Sequence, residues 1–122
     1  MVTQFHTETV EGSIIDDFVV VLRAKSGVTI DIDEATAIIA AIEAKLTGDY
    51  GILVDRVNDY SVSPVGVYQF LNTRSRLRAM ALVLYRPISM AVSDIETSLA
   101  NKPIKVFDNV DAANTWLRDF SQ

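Results

Sequence analysis

The residue types that carry most enzyme chemistry are scarce in this sequence. His6 is the only histidine, and the chain has no cysteine. These counts exclude Cys–His nucleophilic sites and the usual zinc spacings. A Ser–His–acid triad would have to use His6, and no Gly-x-Ser-x-Gly elbow presents a serine for attack. No glycine-rich phosphate loop is present either. The sequence therefore predicts a protein that is not an enzyme and needs no cofactor.

Two serines, Ser61 and Ser63, lie just before a predicted helix. Ser63 precedes Pro64, and a serine followed by proline is typical of a helix start. A phosphate on Ser63 would meet free backbone N–H groups and the positive end of the helix dipole, while adding about 1.5 to 2 negative charges. In the simpler interpretation, Ser63 only caps the helix.

The only basic cluster is Arg74, Arg76 and Arg78. These side chains are candidates for binding an anionic headgroup, a phosphate or an acidic partner. Alternatively, they form a solvated helix end, where positive charge complements the dipole.

Carboxylates are concentrated early in the chain, but their spacing does not predict a metal site. They lack the regular ligand spacing and the glycine of a calcium loop. Helix capping and surface solvation explain these residues adequately, and no metal is expected. The residues are Asp16, Asp17, Asp31, Asp33 and Glu34.

Length and charge limit the function further. The 122 residues predict one domain spanning 1–122. A net charge of −5 disfavours a nucleic-acid partner, because an acidic protein repels phosphate backbones. The N-terminus lacks the pattern of a signal peptide, and no apolar run approaches the roughly 20 residues that cross a bilayer. We expect a soluble cytoplasmic protein without membrane insertion.

The elements that would position these residues alternate between strands and helices. Residues 18–22 predict a strand, and Gly12-Ser13 predicts a turn from an earlier strand around 4–10. Ser26-Gly27 marks a second break. Further strands are predicted at 52–54, 80–85 and 104–107, as short apolar runs of the kind that parallel sheets bury on both faces.

Helical periodicity begins after the second break, at Ser26-Gly27. Asp31 with Glu34 resembles a capping box for a helix over 31–47, and Gly48 is placed to stop it. Later helices are predicted after Ser63-Pro64, after Pro87 and after Asp108, which would cap the last one. The apolar stripes of the first, third and last helices are Ala35, Ile38, Ile39, Ile42 and Leu46; Ile88, Ala91, Val92, Ile95 and Leu99; and Val110, Ala113, Trp116, Leu117 and Phe120.

This order predicts an α/β fold. We expect a mixed, mostly parallel β-sheet with N-terminal antiparallel strands and about four helices packed on it, because right-handed crossover helices join parallel strands.

The order also resembles the STAS domain, particularly the small stand-alone SpoIIAA-like (STAS/SEC14-like) bacterial proteins. Three segments carry the resemblance: 16–22; 52–55 with 63–67; and 104–108 with 112–117. In the anti-sigma factor antagonists of this family, a loop reading roughly Asp-Ser-Ser-Gly-Leu-Gly contains a serine that a partner kinase phosphorylates. The matching stretch here is 61–66, in which Val62, Pro64 and Val65 depart from the pattern and Ser63 is nearest to the switch serine. The resemblance therefore makes Ser63 and Ser61 the candidate phosphoacceptors.

The resemblance implies a regulatory protein-binding module with a protein partner, such as a kinase or an anti-sigma-like regulator. The expected contact surface is the loop before the second helix and the start of that helix, where aromatic residues are typical interface anchors. Two alternatives stay open: a SEC14-like carrier of a lipid-like or other small apolar molecule, and a homodimer that associates through a sheet edge or helix face. The candidate contact residues are Asp55, Asn58, Asp59, Tyr60, Ser63 and Tyr68.

Overall fold

The computed structural model describes residues 2–86 and 89–121, without the side chains of 89–92. Eight strands are described: β1 (Val2–His6), β2 (Val10–Ile15), β3 (Val19–Ala24), β4 (Thr29–Ile30), β5 (Tyr50–Asp55), β6 (Ser61–Val62), β7 (Leu77–Val83) and β8 (Ile104–Phe107). The helices are α1 (Ile32–Glu43), α2 (Pro64–Leu71), α3 (Ser89–Leu99) and α4 (Val110–Arg118), followed by a 3₁₀ turn at Asp119–Ser121.

Six strands form one mixed sheet in the order β1-β2-β3-β5-β7-β8. The β1–β2 and β2–β3 pairs are antiparallel, and the remaining three pairs are parallel. Because the parallel strands advance across the sheet in one direction, right-handed crossovers place α1, α2 and α3 on the same face. The last helix, α4, covers the opposite face. The predicted mixed sheet with four helices is confirmed.

Two apolar clusters hold these layers together. The larger cluster lies between the sheet and the three crossover helices and includes Ile38, Ile42 and Ile52. The smaller one packs α4 on the other face, where Ala113 and Leu117 are fully buried. Both predicted stripes, on α1 and on α4, therefore face the sheet.

The first hairpin differs from the sequence prediction. Gly12 and Ser13 lie inside β2, not in a turn. Gly12 is required there because the ring of Phe5, its cross-strand partner, occupies the space that a β-carbon would need. The turn into β3 is instead formed by Asp16 and Asp17, which have φ angles of 53° and 59°. Two positive φ angles are typical of a type I′ hairpin turn, whose twist matches that of the strands.

Helix ends also differ from the predictions. The Asp31 side chain caps α1 by accepting a hydrogen bond from the Glu34 N–H at 3.0 Å. The same helix ends at Glu43, well before Gly48. The cap of α4 is Asn109, not Asp108, because the Asn109 side chain accepts the bond from the N–H of the third helical residue.

The buried face of α3 is not the apolar stripe that periodicity predicted. Ile95 is 53% exposed, whereas Ser93 and Glu96 are buried. Leu99 packs partly against the larger cluster. Ile88 and the side chains of Ala91 and Val92 lie outside the described residues. The rotation of this helix places a carboxylate where an aliphatic side chain was expected.

Candidate functional site

The carboxyl-terminal ends of the parallel strands form one edge of the sheet, here called the carboxyl edge. β3, β5 and β7 end there, and α1 and α2 begin there. In open α/β sheets, ligands commonly bind outside this edge.

The loop between β5 and α2, residues 56–63, covers the carboxyl edge. Asn58 donates from Nδ2 to the Ala24 carbonyl at 3.0 Å, and the carbonyl of Asp59 accepts from the N–H of Gly27 at 2.8 Å. β6 pairs in parallel with β4 beyond the end of the main sheet. Arg86, which follows β7, pairs with the Asp59 carboxylate. The loop is therefore tied to three neighbouring segments.

The predicted phosphoacceptors Ser61 and Ser63 lie in this loop, and both are exposed. Ser63 occupies the N-cap position of α2, but its side chain makes no capping hydrogen bond. Its hydroxyl therefore does not perform the structural role that the simpler interpretation assigned to it.

The predicted contact residues divide into an exposed and a buried group. Asn58 and Asp59 are exposed, and Tyr60 is half-buried. Asp55 and Tyr68 are only 4% and 2% exposed, so neither side chain belongs to an accessible surface. Including these two residues in the contact surface was wrong, because one lies at the end of a central strand and the other on the inner side of α2.

Asp55 holds two side chains beside the loop. Its Oδ2 accepts from Arg23 Nε at 2.8 Å, and its Oδ1 accepts from the hydroxyl of Tyr85 at 2.6 Å. The hydrogen bond to Asp55 raises the pKa of Tyr85 to about 12, since ionised Tyr85 would lose that bond and face a carboxylate. Asp55 therefore positions Tyr85, which is 48% exposed.

A buried polar cluster lies under the loop. Arg56 Nη2 contacts Glu96 Oε1 at 2.6 Å and Oε2 at 2.5 Å. The hydroxyl of Tyr68 also donates to Glu96 Oε1, at 3.0 Å. Burial and the adjacent carboxylate together raise the pKa of Tyr68, which keeps its phenol protonated. Tyr60 lies against the guanidinium of Arg56, 5.8 Å from ring centroid to Cζ.

Two cavities meet at this cluster. An outer cleft of about 240 Å³ is lined by loop residues and Arg86. An inner cavity of about 80 Å³ lies between the sheet, α1 and α2, and its wall is aliphatic apart from Arg56, Tyr60, Tyr68 and Glu96. Arg56, Tyr60 and Val62 line both spaces. Sequence reasoning missed the cluster, and the only signal was a glutamate at helical spacing between apolar residues of α3.

The three arginines contact three different parts of the protein. Arg76 donates to the carbonyls of Leu46 and Gly48, which closes the loop after α1. Arg78 pairs with Asp49 at 3.2 Å, and Arg74 stacks over the Phe70 ring. Each guanidinium thus has a separate partner. The alternative of a solvated helix end is wrong for Arg76 and Arg78, because α2 ends at Leu71 and these two residues lie beside and within β7.

Within residues 2–86 and 89–121, no three histidine or acidic side chains are grouped so that they could bind a metal. Four large apolar side chains are exposed around the carboxyl edge and the adjoining helix starts. Their exposed fractions run from 46% to 57%, and they are Ile32, Val57, Val65 and Tyr85. A fifth, Val2, is exposed at the opposite end of the sheet, because it pairs with Ile15 at the start of the β2–β3 turn.

Comparison with known proteins identifies the fold. No family model matches the sequence, and the curated proteins contain no significant match. The crystal structure of an uncharacterised protein from Shewanella loihica PV-4, from the DUF3478 family and with a SpoIIAA-like fold, superposes with a TM-score of 0.57. The alignment covers 96% of this chain and 92% of that chain at 13% identity. The chain has a SpoIIAA-like fold, as its order of elements predicted. No described helix is both long and apolar enough to pass through a membrane.

Proposed function

We propose that this chain is a non-enzymatic regulatory module that binds a protein partner at the carboxyl edge. The observation that carries the proposal is the distribution of exposed apolar side chains. Among the described residues six large ones are exposed, and Ile32, Val57, Val65 and Tyr85 lie around this edge. Exposed apolar and aromatic side chains within a polar rim are typical of protein interfaces.

The arrangement of these anchors supports a preformed surface. Ile32 lies against Gly66, where a β-carbon would be 3.7 Å from the isoleucine Cβ, so the first turns of α1 and α2 adjoin. Arg86 donates to the Val57 carbonyl at 3.0 Å and thereby fixes the loop. A surface that is already ordered loses little conformational entropy when it binds.

Phosphorylation is the proposed regulation of this surface. Ser63 is exposed, its hydroxyl makes no cap, and it adjoins Val65 in the first turn of α2. A phosphate there would place about two negative charges beside an apolar anchor, which opposes docking. The partner class we propose is therefore a kinase or an anti-sigma-like regulator.

The direct test places a photo-crosslinking amino acid at Val57, Val65 or Val2 in the full chain, in its own cells. We expect one protein to be cross-linked from Val57 and Val65 and not from Val2, which lies at the opposite end of the sheet. Titration calorimetry with that purified protein then measures the effect of Val65→Asp. The dissociation constant should rise at least about tenfold, the loss of a central anchor.

Val2→Asp is the matched control, since it adds the same charge to an equally exposed valine. An equal loss of affinity in both variants would indicate a general charge effect and contradict the assignment. Ser63→Asp and Tyr60→Ala test the loop itself. If both variants retain full affinity, the contact surface does not include the loop.

A carrier of lipid-like molecules is the second candidate, and the inner cavity is the observation that favours it. Its volume of about 80 Å³ is far below the roughly 300–1,000 Å³ of ordinary ligand pockets. A lipid chain would therefore need the helices to separate from the sheet. A homodimer, the third candidate, would appear as a doubled molar mass in light scattering across a concentration series.

A further inference from the structure

The inner cavity combines an aliphatic wall with a single polar end. The wall is formed by side chains of the sheet and of two helices, among them Leu22, Ile38, Ile52, Leu71 and Met80. Arg56 and Glu96 line the same space.

Both polar residues are deeply buried and incompletely satisfied. The Arg56 side chain is 9% exposed and that of Glu96 is 2% exposed. Arg56 Nε, a donor, has no hydrogen-bond partner among the described residues, and Glu96 Oε2, an acceptor, has only its ion-pair contact with Arg56 Nη2 at 2.5 Å. Buried polar atoms are nearly always paired with protein, water or ligand.

One small group can reach both atoms. Arg56 Nη2 lies 2.5 Å from Glu96 Oε2, and Nε belongs to the same planar guanidinium. Nε and Oε2 are therefore close enough for one hydroxyl, which accepts from the first and donates to the second. The ion pair is already neutral, so an anionic or cationic ligand would bring an uncompensated buried charge.

We propose that the inner cavity is a binding site for a small neutral amphiphile with one hydroxyl or amide head and a short aliphatic body. An apolar cavity of 150 Å³ accommodates the six carbons of benzene, so in proportion about 80 Å³ suits an aliphatic body of three to four carbons. The outer cleft shares Arg56, Tyr60 and Val62 with this cavity and provides the entry side. This site does not depend on the protein contact proposed above.

The test is an NMR titration of the full chain with 1-butanol, with its isomer methyl propyl ether, and with butyrate. The ether can accept from Arg56 but cannot donate to Glu96. We expect saturable shifts of the Ile38 and Ile52 methyl resonances with 1-butanol. The ether should bind at least about tenfold more weakly, since it leaves one hydrogen bond to a charged group unmade. Butyrate should cause no saturable shift.

Two alanines of α1 provide matched variants. Ala35 lines the cavity, whereas Ala40 is exposed on the same helix. Ala35→Leu should fill the cavity and abolish the butanol shifts, and Ala40→Leu should leave them unchanged. If Ala35→Leu does not unfold cooperatively in urea, Val67→Ile serves the same purpose.

Three outcomes would overturn the proposal. The first is no saturable shift with 1-butanol, which would mean that the space holds water only. The second is equal affinity for the alcohol and the ether. The third is undiminished binding to a folded, cavity-filled variant.

Discussion

Removing Glu96 should strongly destabilise the fold. Glu96→Ala leaves the guanidinium of Arg56 buried without a counter-ion and takes the hydrogen-bond acceptor from Tyr68. Breaking a buried ion pair from one side costs about 3–5 kcal/mol, because the remaining charge keeps its desolvation penalty. Domains of this kind are stable by only about 5–15 kcal/mol, so the loss is a large fraction of the total.

The double variant Arg56→Met with Glu96→Leu should behave differently. It removes both charges together and fills the space with apolar side chains, and this change alone is neutral or stabilising by up to about 4 kcal/mol. The phenol of Tyr68 loses its acceptor in this variant at a cost of about 1–3 kcal/mol, so we expect a net stability within about 3 kcal/mol of that of the natural protein.

Urea unfolding followed by circular dichroism measures these free energies. Asp49→Ala is the control, because Asp49 and Arg78 form an exposed pair, 48% and 44% accessible, worth less than about 1 kcal/mol. If Glu96→Ala costs no more than Asp49→Ala, Glu96 is hydrated and the buried cluster does not exist as described. Should Glu96→Ala fail to fold, Glu96→Gln removes the charge but keeps the shape and an oxygen for Tyr68.

Three further substitutions test two features: the packing and turn of the N-terminal hairpin, and the hydrogen bond between Asp55 and Tyr85. Gly12→Ala should destabilise the fold by about 1–3 kcal/mol in urea, because the new methyl group overlaps the Phe5 ring, and an unchanged midpoint would contradict that packing. Asp17→Gly should stabilise it by about 0.5–1 kcal/mol, since glycine relieves a φ of 59°; a loss of stability would show that the aspartate side chain is needed in the turn. The pKa of Tyr85 is raised from 10.0 to about 12, so the stabilisation from its bond to Asp55 is complete below pH 10 and is lost as the pH rises through 12. In Asp55→Asn the phenol should ionise nearer pH 10 in an ultraviolet titration, and an unchanged midpoint would contradict this cause.

Local patterns in the sequence were sufficient to predict the architecture. The stripe on α1, with Asp31 as its cap, and the stripe on α4 each face a cluster on the sheet. These signals act over one or two helical turns, so they can be read without knowledge of the rest of the chain. The N-terminal hairpin was misplaced because glycine marks both turns and close contacts. Only the Phe5 ring, which the pairing of β1 with β2 brings against Gly12, distinguishes these two roles.

The site was less predictable for the same reason. The loop over 56–63 was expected at the surface, and the structure places it there. Glu96, however, is buried, and its hydrogen-bond partners are Arg56, 40 positions earlier, and Tyr68, 28 positions earlier. Helical periodicity alone predicts that a glutamate faces solvent, so it predicted that Ile95 would be buried and not Glu96. A buried ion pair depends on tertiary contacts that no local window contains.

The two tests of the buried cluster constrain each other. If the double variant at 56 and 96 is as stable as the natural protein or more so, the ion pair is not needed for folding, and a different role must account for two charges at the end of an aliphatic cavity. Ligand recognition is then the strongest candidate, and the same variant should no longer bind 1-butanol. If the double variant is instead much less stable than the natural protein, the pair contributes to the fold itself, and only the isomer comparison can show that it also recognises a hydroxyl group. Folding stability and butanol affinity therefore have to be measured on the same variants.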